Sequence, residues 1–256
     1  MIFKRAVAKL RAQDWMAIAV ELAIVVLGVF IGTWVANWNQ EQGEERTAQK
    51  MVGELRPGVL TVINSFDGNA AYLRTTARYS DTAFAGWRAE RGVSDDQFVI
   101  AAYQASQTTA PALNAGNWAD VYGGAQLSKL SDPALRRSVA TIMSIDFGSL
   151  DESNLRTPYV QHVREVIPED IQDAIRAQCG DTADLARPFL ITLPATCHID
   201  LPRERWAAAA RALRNTPDLI PQLRWRRAAT ATYIENLGFL RSQYADALQR
   251  IDKASR

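Results

Sequence analysis

The chain has 256 residues, with 29 lysines and arginines against 28 aspartates and glutamates, two cysteines, two histidines and 48% hydrophobic residues. These values exclude a disordered tail, a collagen-like repeat, a disulfide-stapled miniprotein and a multi-span transporter. A net charge of +1 lacks the basic surplus that a phosphate-binding surface needs, so no nucleic acid partner is expected.

The apolar residues are unevenly spread. From Trp15 to Trp38 the chain reads WMAIAVELAIVVLGVFIGTWVANW, with Glu21 its one formal charge. As a helix this segment rises about 36 Å, enough to cross a hydrocarbon core of about 30 Å. Trp15 at one end, and Trp34 and Trp38 at the other, suit the two membrane interfaces. A cleaved signal peptide would carry a shorter apolar run, about 7 to 15 residues, followed by a small-residue cleavage site. The expected organisation is a short cytoplasmic N-terminus at 1–14, a transmembrane helix at 15–38 and an extracytoplasmic helical domain at 39–256. Lys4, Arg5, Lys9 and Arg11 precede the span, whereas Glu41, Glu44 and Glu45 follow it before the first base, Arg46. The positive-inside bias therefore keeps the N-terminus in the cytoplasm and places the domain outside the inner membrane, in a periplasm where the cell has one.

Within the span, Glu21, Gly28, Gly32 and Asn39 fall within about 20° of one line at 100° per residue, with Ala17 and Ala36 beside them. Gly28 and Gly32 form a GxxxG element, which lets two helix backbones approach closely. The stripe predicts a self-associating or partner-binding face. Two readings of Glu21 stand open. One is a carboxyl that is protonated or snorkels toward the cytoplasmic headgroups; the other is a titrating acid in an ion-driven or channel-like assembly, which would need a second membrane component.

Beyond the span the periodicity is helical. Val52, Leu55, Val59, Val62, Phe66, Leu73 and Trp87 describe a long amphipathic arm, bent or interrupted at Pro57-Gly58. Shorter helices are expected over 95–107, over 112–127 with a break near Gly123-Gly124, over 134–145 behind the Ser131-Asp132-Pro133 start signal, and after Pro168. The segment 179–202, with Gly180, Pro188, Pro194 and Pro202, reads as an irregular loop. From Asp218 to Lys253 a last long helix carries Thr230, Tyr233, Leu237, Leu240, Tyr244, Ala247 and Ile251 in steps of 3 and 4. The expected class is all-α, an antiparallel bundle with long first and last helices. Arg224, Arg226 and Arg227 around Trp225 could meet an anionic partner or headgroup, but read first as a solvated helix face, with Arg226 interrupting the seam.

The basic start, the anchor containing ELAIVVLGVFIG and ending in Asn37-Trp38-Asn39, the long helix, the stretch Trp118 to Arg136 and the closing helix together resemble an uncharacterised bacterial family of N-terminally anchored, single-pass proteins. The resemblance is strongest over 21–40 and 117–137. Here Gly123-Gly124-Ala125 stands where many relatives carry Ser-Ser-Gly, and the cysteine-bearing loop lies outside the shared pattern. The resemblance implies the architecture and brings no activity.

Cys179 and Cys197, 18 residues apart around a proline-rich loop, read as a disulfide in an oxidising compartment. The rival is a metal site with His198 and His162, although the spacing lacks a paired zinc signature. Nucleophile elbow, phosphate loop, dinucleotide fingerprint and metalloprotease helix are all missing from the sequence. Asp146, Asp151 and Glu152 beside Gly148 and Ser149 read as turn and cap residues. No cofactor and no catalytic residue are expected. The partners expected are the lipid bilayer and a second copy or another membrane protein.

Overall fold

The structure, a computed structural model, describes residues 15–111, 127–184 and 187–254. Helix makes up 77% of the chain and strand 3%, which places it in the all-α class. In chain order the helices are α1 (Trp15–Glu54), α2 (Arg56–Trp87), α3 (Asp95–Gln104), α4 (Pro133–Met143), α5 (Pro158–Val166), α6 (Glu169–Cys179), α7 (Arg203–Arg214) and α8 (Leu219–Ala254). Two 3-10 turns, Gly148–Leu150 and Glu152–Leu155, separate α4 from α5. A hairpin of β1 (Thr182–Asp184) and β2 (Arg187–Thr192) separates α6 from α7.

The arm that follows the span is indeed interrupted, but at Leu55, where α1 ends and α2 begins. Pro57 causes no kink because it sits in the first turn of α2, where its missing N–H has no intrahelical partner to lose. α3 starts behind Ser94, whose amide donates to Gln97 Oε1 at 3.1 Å. α4 starts behind Asp132, whose Oδ1 accepts from the amides of Ala134 (2.8 Å) and Leu135 (3.3 Å). Those two backbone donors hold the Asp132 carboxyl below the usual range.

α8 buries Leu219, Leu223, Arg226, Thr230, Tyr233, Leu237, Leu240, Tyr244, Ala247 and Ile251, strict alternating steps of 4 and 3. This seam lies along α2, and three ion pairs fix the register. Arg56 meets Asp252 at 2.7 Å, Asp67 meets Arg241 at 2.6 Å and Asp81 meets Arg227 at 2.8 Å. Residue numbers rise along α2 as they fall along α8, by 11 and then 14 on both, so the two helices run antiparallel. Each pair is exposed and worth only about 0.2–1 kcal/mol, so the buried seam supplies the stability and the charges select the register.

α2 is buried on more than one side because α3 and the hairpin cover what α8 leaves. Gly86 is required by that packing: a Cβ there would lie 2.7 Å from the Phe98 Cβ and closer still to its ring. Phe98 is itself fully buried and stacks edge-on against Trp87, with centroids 5.1 Å apart. At the other end, Ala48 and Val52 of α1 are buried on the domain. Glu44 pairs with Lys129 at 2.6 Å, and Ser131 donates to Glu45.

Three sequence expectations change. The segment 179–202 is not irregular throughout, since it contains a hairpin pairing Thr182 with Thr192 and Ala183 with Ile191. Arg226 does not lie on a solvated face but within the seam, 1% exposed. α7 had no counterpart among the expected elements. The N-terminal flank 1–14 and residues 112–126, including Trp118 and the Gly123-Gly124 break, lie outside the described residues.

Candidate functional site

Ala17, Glu21, Gly28, Gly32, Ala36 and Asn39 all lie on the continuous helix α1, and none is buried. A Cβ added at Gly28 or Gly32 would meet nothing within 4 Å, and the same holds for Gly43 one turn beyond Asn39. The phase of these residues relative to the domain follows from the helix. At 100° per residue, Ala48 and Val52, the residues of α1 buried on the domain, point about 160° away from the mean direction of Glu21, Gly28, Gly32 and Asn39. The stripe and the domain thus take opposite sides of one helix.

Cys179 and Cys197 are bonded, with Cα atoms 5.7 Å apart. The bond joins the last residue of α6 to the chain following the hairpin, so the hairpin hangs within an 18-residue loop. α2 holds this loop from its other side. Tyr72 Oη donates to Asp181 Oδ1 at 2.8 Å, Tyr79 Oη to the Pro194 carbonyl at 2.7 Å, and Leu190 lies over Gly68, where a Cβ would collide with it. Burial raises the Asp181 carboxyl above the usual range, and the Tyr72 hydroxyl partly offsets this.

The bond removes both sulfurs from the alternative metal site. His162 is engaged elsewhere, its Nδ1 3.1 Å from Gln222 Oε1. Among the described residues no group of three His, Cys, Asp or Glu side chains is placed to hold a metal ion. Asp146 and Asp151 cap the 3-10 turns, accepting from the amides of Gly148 (2.9 Å) and Ser153 (2.7 Å). Glu152 accepts from Thr108 Oγ1 at 2.7 Å on the wall of a polar cleft of about 870 Å3. Arg156, 3.5 Å from Glu152, lines the same cleft together with Arg164 and Glu165, so two arginines and two glutamates balance within it. That arrangement offers no activated nucleophile and no acid-base pair.

What the sequence reading missed is a buried polar centre built on Arg226. Its guanidinium donates to three main-chain oxygens: Gln107 at 2.6 Å, Ala105 at 3.4 Å, and Leu155. Two of these lie at or just past the C-terminus of α3, where the helix dipole favours a cation. Burial pulls the group down from its ordinary value to about 10, so it stays charged at neutral pH. Around it, Tyr159 Oη donates to the Ala102 carbonyl (2.7 Å), Tyr233 Oη to Leu150 (2.6 Å) and Gln104 Nε2 to Cys179 (2.7 Å). Burial raises the phenols of Tyr72, Tyr159 and Tyr233 well above their ordinary value, so all three remain donors. The centre ties irregular chain to helices; the bonds from Arg226, Tyr159, Tyr233 and Gln104 all go to backbone carbonyls. One sequence signal pointed to it, the arrival of Arg226 on the 4-3-4 spacing of α8.

No family model, no curated protein and no solved structure matches the chain.

Proposed function

We propose that the protein is a non-enzymatic, single-pass membrane protein whose first helix anchors an antiparallel helical bundle outside the inner membrane. There it acts as a structural, sensory or partner-binding module, and it self-associates through the Glu21, Gly28 and Gly32 face. The N-terminus lies in the cytoplasm and residues 39–256 lie outside, in agreement with the bonded cysteines, which suit an oxidising compartment. The single observation that carries the self-association is the phase of α1. Its GxxxG side points away from the side on which the domain docks, so a second copy can reach it without meeting the domain of the first. A parallel pair formed this way holds its two domains outward on either side of paired α1 helices.

The chain's only cysteines are bonded to each other, so a single introduced thiol reports alone. Asn39→Cys and Gly43→Cys, on the stripe side just beyond the span, should form disulfide-linked dimers in native membranes under mild oxidation. Glu41→Cys, on the domain side, should not. Gly32→Leu should lower dimer yield at both reporting positions by widening the contact. Equal cross-linking at 39, 41 and 43, or a yield unaffected by Gly32→Leu, rejects the face.

A further inference from the structure

We propose that the groove between α2 and α8, floored by alanines and rimmed by Arg88, Arg224 and Arg227, is a docking surface for an acidic amphipathic helix of a partner protein. The groove measures about 580 Å3. Ala77, Ala228 and Ala231 form its floor, and small side chains there let a third helix backbone settle at the 8–10 Å typical of close helix pairs. Phe84 and Ile234 wall it; both pack on the core with one side and are partly exposed on the other. From Ala77 to Arg88 it runs about 16 Å along α2, the length of a three-turn helix.

The occupant follows from charge. The groove lining carries three guanidiniums and no carboxylate. Arg227 is paired with Asp81 at 2.8 Å and Arg88 with Glu90 at 2.5 Å, yet both side chains remain about half-exposed. Each guanidinium has five N–H donors, so donors remain for an incoming carboxylate. Arg74 and Arg78 add exposed positive charge on the same half of α2. Set against the paired Asp81 and Glu90, these five arginines leave a positive surplus around an apolar trough, in a chain whose net charge is only +1. Complementarity therefore calls for leucine-like side chains at helical spacing, flanked by carboxylates. This inference does not depend on the membrane face of α1.

The probe is a labelled synthetic helical peptide of about 18 residues with leucines on one face and glutamates beside them, read by fluorescence anisotropy against the full-length protein in detergent. A second peptide replaces the glutamates with lysines. The glutamate peptide should bind at least about tenfold tighter than its lysine counterpart at low salt, the difference shrinking as salt is raised. Ala231→Trp fills the floor and should abolish binding while leaving the melting profile unchanged, because Ala231 is exposed and outside the core. Arg224→Glu should weaken binding about tenfold. Equal affinity for the two peptides, or undiminished binding to Ala231→Trp, overturns the proposal. So does capture of anionic lipid vesicles, lost on Arg224→Glu, without binding of the glutamate peptide, since that outcome makes the surface a membrane contact.

Discussion

Arg226 offers the sharpest test of what the buried polar centre does, because charge and shape make opposite predictions there. Replacing it with methionine orphans two well-placed carbonyls, those of Gln107 and Leu155, and one weakly held carbonyl, that of Ala105. An orphaned buried acceptor costs about 1–3 kcal/mol, so the two strong bonds together are worth about 2–6 kcal/mol. The same substitution removes the cost of burying a cation. The displacement of the guanidinium from its ordinary value down to about 10 corresponds to about 3 kcal/mol against the charged form. The two effects nearly cancel, and Arg226→Met is expected to lose no more than about 3 kcal/mol.

Arg226→Lys keeps the buried charge but replaces a fork that spans three carbonyls with a point donor that cannot hold all of them. It should therefore be less stable than Arg226→Met at pH 7, despite being the conservative change. The order is measured by guanidinium denaturation of the detergent-solubilised chain, followed by far-ultraviolet circular dichroism. The pH dependence adds a second readout. A lysine buried at this position has its folded value pushed below the unfolded value of about 10.4. The fold carries the unfavourable charge below that folded value and sheds it above, so the deficit of Arg226→Lys should shrink as pH rises toward 10. If the lysine variant is the more stable of the two, or its deficit does not change with pH, the centre requires a positive charge and not the shape of the guanidinium.

Gly86→Ala drives a methyl into the ring of buried Phe98, and should cost about 1–3 kcal/mol as an overpacking strain. Gly43→Ala, where a Cβ meets open space, should leave the melting temperature of the dispersed protein unchanged. Opening the Cys179–Cys197 bond by Cys197→Ser releases an 18-residue loop, for which chain entropy gives a loss of about 3 kcal/mol. A loss below about 1 kcal/mol would mean that Tyr72, Tyr79 and Leu190 hold the hairpin without the bond. Hydrogen exchange over 182–192 distinguishes that case directly.

The helical class was legible because both long helices wear their burial in sequence. The 4-3 spacing from Leu219 to Ile251 predicts one buried stripe, and the structure buries that stripe. The hairpin was hidden because its pairing depends on neighbours remote in sequence. β1 has only three residues, too few for a visible alternation, and it is held by a disulfide and by Tyr72 from α2. α7 was equally hard to see. Arg203, Arg205, Arg211 and Arg214 make its sequence strongly polar, and only Trp206, Ala209, Ala210 and Leu213 reach the core. Arg226 was misread for a related reason. Charge type predicts exposure on average, but two carbonyls at the end of α3 and that of Leu155 in the second 3-10 turn create a site that only a buried donor can fill, and carbonyl positions are set by the fold.

The same long helices that organise the core also set the distance between the two proposed contacts. The groove begins at Ala77, 39 residues beyond Trp38, so about 58 Å of helix path separates it from the end of the span. α1 is tied to the domain by Glu44–Lys129 and by buried Ala48 and Val52, and α2 is tied to α8 along three ion pairs. A contact between copies at the glycine face and a contact with a partner at the distal groove would therefore share one rod and leave each other's surface uncovered. Coupling between them could pass through these ties or through Leu55, the break between α1 and α2. Leu55 is 3% exposed and lies in the core, so the break is packed rather than loose.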